Sequence, residues 1–120
     1  MIDSAKDVSV MPPSTALAIA RALRDQLQPC ANRHSSPGHG AERIRVVVQL
    51  ELKRDGSLAA PPRIVGHDGL DGVNDRYLGD VERAAVATIT ECQPFRALPP
   101  EWYDGPQGWR QTSIKYKLPG

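Results

Sequence analysis

The chain has 120 residues, one domain's worth, with 15 basic and 14 acidic side chains and a net charge of +1. That balance provides no overall field to draw in nucleic acid or an acidic membrane surface. The apolar stretches are short and broken by charges, so none spans a bilayer, and the 5% aromatic share implies an aliphatic, alanine-rich core.

Residues 1–13 carry no periodicity and close on Met11-Pro12-Pro13; they read as a flexible leader or linker remnant. They are not a secretory signal, because no basic segment leads into an apolar run. Ser14 and Thr15 offer an N-cap to a first helix. Ala16, Leu17, Ala20, Leu23 and Leu27 recur at helical spacing as its apolar stripe, with Arg21, Arg24, Asp25 and Gln28 off it. Pro29 lacks an N–H and clashes with the preceding turn, which predicts a helix end near Gln28. Residues 31–42, ANRHSSPGHGAE, are a loop.

Ile44, Val46, Val48, Leu50 and Leu52 alternate with Arg45, Val47, Gln49 and Glu51, the pattern of a half-buried antiparallel strand. Asp55-Gly56 predicts a hairpin turn, with Gly56 at positive φ. The second strand starts at Leu58, breaks at Pro61-Pro62 and resumes over Arg63-Ile64-Val65; two prolines make it an edge or bulged strand. Gly66 to Asn74 reads as a loop. A second helix begins around Asp75, carries Leu78, Val81, Ala85 and Ile89 on one stripe, and stops at Pro94. A proline-aromatic loop, Phe95–Gly108, leads into a last strand, Trp109 to Leu118.

Helix, strand, strand, helix, strand is an α+β order. It predicts a two-layer domain over residues 14–120. A three-stranded antiparallel sheet, ordered 2-1-3, is covered on one face by two helices. Arg45, Gln49, Glu51, Lys115 and Lys117 fall on the wet face, and strand three is an unshielded edge.

Few side chains suggest chemistry. His34, His39, His67 and Cys30 fit no zinc spacing. Asp68, Asp71, Asn74 and Asp75 lack the order of a calcium loop and read as turn and helix-cap residues. No nucleophile has a recognisable base, and no glycine-rich phosphate loop follows a strand. Trp102, Tyr103 and Trp109 read as a pin for the last loop or as anchors for a partner. Cys30 and Cys92 sit at the ends of the two helices, as buried thiols or as a disulfide; without Cys-x-x-Cys they are not a redox dithiol.

Taken together, LRDQLQPC, VVVQLEL, RDGSL, PPRIV, VERAAVATI, CQPF and LPPEWYDGPQGW, closing at Leu118-Pro119, resemble the C-terminal domain of the TolA/TonB family of envelope energy transducers, in its TolA-like alphaproteobacterial form. The resemblance covers residues 16–119 and rests on the order and spacing of the pieces, each common alone. The GPQG insert before Trp109 is longer than the family pattern.

The resemblance implies a disulfide between Cys30 and Cys92, which would stabilise the fold by about 4 kcal/mol on the chain-entropy model. It implies a periplasmic interaction domain without catalysis, cofactor or metal, in a parent chain with an inner-membrane anchor and a helical stalk upstream. The expected partners are Tol–Pal components or outer-membrane receptors, not nucleic acid. They would be bound partly by strand addition at Gln111, Thr112, Ser113, Ile114, Lys115, Tyr116, Lys117 and Leu118. Lys115 and Lys117 would flank such a peptide, and lysines there also protect an open edge from aggregation. The alternative is a cytosolic adaptor or regulatory domain that shares the fold only, as expected if the chain is complete as it stands.

Overall fold

Alternating aliphatics build the centre of the molecule. In the computed structural model, which describes residues 11–118, Arg45–Glu51 forms strand β1, with Val46, Val48 and Leu50 buried. Strand β2 (Arg63–Asp68) and strand β3 (Gln111–Tyr116) pair antiparallel on either side of it, giving the order β2-β1-β3. Helices α1 (Pro13–Ala31) and α2 (Leu78–Cys92) complete an α+β domain. Val81, Ala85 and Ile89 of α2 and Ile19, Leu23 and Leu27 of α1 share one hydrophobic core with the inner face of β1.

The leader expected over residues 1–13 lies outside the described residues as far as position 10. Beyond that point Met11 is buried in the core and Pro13 already belongs to α1. Ser14 and Thr15 therefore sit within the first turn and do not cap it. Pro12 precedes the helix in an extended conformation, and a proline at the first helical position gives up only an N–H that would have no partner there. Pro29 does not end the helix, which continues to Ala31. A proline inside a helix costs about 3 kcal/mol. Buried Leu27, Cys30 and Ala31 hold this last turn in place, and Cys30 is bonded to Cys92.

The hairpin turn forms where Asp55-Gly56 places it. Gly56 has φ +85°, and its N–H donates to the Lys53 carbonyl. A Cβ there would lie 1.8 Å from the carbonyl oxygen of Phe95, which packs over the turn. Leu58 makes only an isolated bridge with Leu52, and the ladder of β2 begins after Pro61-Pro62. The register shifts between Val47, paired with Gly66, and Val48, paired with Ile64, so Val65 is the bulged residue. Contrary to the sequence reading, Gly66 to Asp68 are strand. Pairing with Arg45, Val46 and Val47 prevails over the local preference of glycine, and Arg45 Nε donates to Asp68 at 2.8 Å.

The polar stretch before α2 is organised by Asn74, which is fully buried. Its amide donates to the Gly40 carbonyl at 2.8 Å and the Gly69 carbonyl at 3.1 Å, and its Oδ1 accepts from the Asp71 N–H at 2.8 Å. Asp71 Oδ1 accepts from the N–H groups of Val73 and Asn74. The cluster is thus a built turn. Asp75 opens a short 3-10 turn, Asp75–Tyr77, rather than capping α2.

Candidate partner-binding groove

The edge strand is set by its alternation. Thr112, Ile114 and Tyr116 face the core side, while Gln111, Ser113 and Lys115 are exposed. The ladder pairs Val46 with Tyr116, Val48 with Ile114 and Leu50 with Thr112. It ends at Tyr116, two residues short of the expected strand; Lys117 is exposed and Leu118 is buried beyond it. Among the described residues, no backbone outside β1 hydrogen-bonds to residues 111–118. Within the described residues, the outer edge of β3 therefore presents main-chain donors and acceptors with no backbone partner.

A groove runs along this edge. Helix α1 packs on α2 and stands away from β3, leaving a space of about 450 Å³ between helix and strand. Ala16, Ile19, Ala20, Leu23, Leu27 and Ala31 form its helix wall, and Ile114 and Tyr116 line the strand side. The apolar stripe of α1 is displaced from the sequence reading. Ile19 is buried, whereas Ala16, Leu17 and Ala20 are exposed. Ala16 and Ala20 keep their place on the stripe but look onto the groove, where the sheet does not reach them. At one end Met11 closes the space, its N–H donating to Gln107 Oε1 at 3.1 Å. Gln107 lies within the GPQG insert, which gives that insert a place beside the groove.

The loop before β3 is fixed by its aromatics. Trp109 is buried, its ring N–H donating to the Pro99 carbonyl at 2.7 Å. The Tyr103 hydroxyl donates to the Leu52 carbonyl at 2.7 Å, and its ring meets Trp109 edge-on at 4.7 Å. Arg54 stacks 4.5 Å from the Tyr103 ring centre. These contacts are those of a structural pin, and Trp109 also forms part of the groove floor.

The groove is rimmed by cations: Arg24, Arg45, Lys115 and Lys117 line it, and among the described residues no carboxylate does. Asp68 serves two of them, accepting from Arg45 and lying 3.7 Å from Lys115. The hydrogen bond from Arg45 is the main reason the Asp68 carboxyl is held below its ordinary range. Tyr116, whose hydroxyl is hydrogen-bonded to Thr88, is raised above the ordinary tyrosine range by burial.

Behind the helix wall, Cys30 and Cys92 form a disulfide with Cα atoms 6.0 Å apart. Close by, His34 Nε2 lies 3.3 Å from Glu91 Oε1. Among the described residues, no three His, Cys, Asp or Glu side chains converge as metal ligands. Sequence reasoning placed the strand of this site but missed Met11, Ile19 and Ala31 of its wall. Ile19 was legible as apolar, but only the packing of α1 on α2 turns it toward the sheet.

No protein-family model matches the chain, and neither a curated protein nor a solved structure is significantly similar to it.

Proposed function

We propose that this is a non-enzymatic interaction domain of a TolA/TonB-like cell-envelope energy-transduction system, which captures an extended segment of a partner protein on β3. The observation that carries the proposal is the groove between α1 and the edge of β3, which has no backbone partner among the described residues. A docked strand would gain main-chain hydrogen bonds from the edge and would set every second side chain into the groove, a pairing of affinity with specificity typical of strand addition. The disulfide suits an oxidising compartment such as the periplasm. No helix among the described residues is long and apolar enough to cross a membrane, which fits a domain carried outside the bilayer by its parent chain.

The test is an NMR titration of the isotope-labelled domain with extended segments of candidate Tol–Pal and outer-membrane partners. Binding at the edge moves the amide resonances of residues 111–118 and of α1 residues facing the groove. Unmoved resonances there, with a partner that binds elsewhere on the domain, would sink the proposal.

A further inference from the structure

We infer that the segment received on β3 is acidic and alternating, with apolar side chains at every second position and carboxylates between them. This inference rests on the strand-addition reading above and specifies its ligand. In a paired strand, side chains directly opposite one another share a face, about 5 Å apart. A strand added to β3 would therefore place one set of side chains beside Ile114 and Tyr116, against Ile19, Leu23 and Leu27 of the helix wall. The other set would lie on the exposed face, beside Lys115 and Lys117.

The two lysines are two residues apart, so they call for carboxylates at the same spacing in the partner. Arg24 rims the helix side and Arg45 extends the positive face on β1. Asp25 lies 3.9 Å from Arg24, and Asp68 is shared by Arg45 and Lys115. Among the described residues, four cations thus stand against two carboxylates, leaving the rim positive on a chain whose overall charge is only +1.

A second copy is a poor occupant by the same reasoning. Antiparallel pairing of β3 with its own copy would gather Lys115 and Lys117 of both molecules on one face, where like charges repel. A basic or uncharged segment would satisfy the edge but bring no carboxylate to Lys117 and leave Lys115 with only its share of Asp68.

The experiment uses three capped peptides of about ten residues, long enough to span the strand, with Val at alternate positions and Asp, Ser or Lys between them. Binding to the oxidised domain is measured by calorimetry, and the site is read from the amide shifts of residues 111–118. The Asp peptide is expected to bind about tenfold more tightly than the Ser peptide, with the Lys peptide weakest, and the advantage should shrink as salt rises from about 0.05 to about 0.5 M. The double variant Lys115→Glu/Lys117→Glu, whose fold is checked by its amide spectrum, should invert the order of the Asp and Lys peptides.

Equal affinity of the Asp and Ser peptides, with the same shifts at 111–118, overturns the acidic preference and leaves strand addition intact. A block peptide with all valines before all aspartates that binds as well as the alternating one overturns the alternation. If none of the peptides moves these amides, both the inference and the function it rests on fail.

Discussion

The hydroxyl of Tyr116 lies 2.9 Å from Oγ1 of Thr88, and this buried hydrogen bond joins the edge strand β3 to helix α2. It is a buried polar fastening of a strand also held by its ladder with β1, by apolar contacts and by the exposed Lys115–Asp68 pair. Tyr116→Phe leaves the Thr88 hydroxyl buried without its partner and should cost about 1–2 kcal/mol in denaturant unfolding. Adding Thr88→Val should cost less than the sum of the two single changes, because the second removes the orphaned group.

Alkaline pH provides a second readout of the same pair. Burial raises the Tyr116 hydroxyl above its ordinary value, so its neutral form is favoured in the folded state. Its contribution to stability is fully present below about pH 10 and is lost as pH rises from there through the raised folded value. Tyr116→Phe should remove that part of the alkaline fall in stability, measured as the denaturation midpoint against pH.

Acid should act through Asp68 and Asp71. Hydrogen bonds from Arg45 to Asp68 and from Arg43 to Asp71 are the largest causes of their lowered carboxyl values. A depressed value means stability that is present above the unfolded value, about pH 4, and lost as pH falls through the folded one. Asp71→Asn should flatten this acid limb while leaving the plateau near neutrality almost unchanged, since the pair is exposed and screened.

Gly56 and Asn74 test the two most constrained turns. Gly56→Ala meets both a positive φ and the Phe95 carbonyl, and should destabilise by about 2–4 kcal/mol. Asn74→Ala leaves the Gly40 and Gly69 carbonyls and the Asp71 N–H without their partner, and should cost about 2–3 kcal/mol. Thermal unfolding curves check both.

Reducing the disulfide should lower stability by about 2–4 kcal/mol, measured by paired denaturant titrations with and without reductant. Mass spectrometry without reductant should find Cys30 and Cys92 bridged. Hydrogen exchange on reduction should rise first at the C-terminal turn of α1, where Pro29 already weakens the helix.

The frame of the fold was readable because β1 alternates cleanly and Asp55-Gly56 fixes the turn after it. Those two features set the strand order once the helix-two crossover is added. What escaped reading depends on contacts distant in sequence. Gly66 to Asp68 became strand because β1 offered a partner, and α1 passed through Pro29 because its last turn is buried and bonded to α2. Asn74 looks like any loop asparagine until Gly40 and Gly69 approach it. Of the candidate site, the strand half was visible in the alternation of residues 111–118. The helix half was not, because an apolar stripe does not reveal where the sheet beneath it stops, and here it stops short of Ala16 and Ala20.

The disulfide has a mechanical consequence for that space. At its C-terminal end, the helix wall of the groove is tied covalently to α2; at its other end, Met11 is held by Gln107. A strand added there would thus meet a slot whose helix wall is tethered at both ends, which would reduce the share of its binding free energy spent on ordering the receptor.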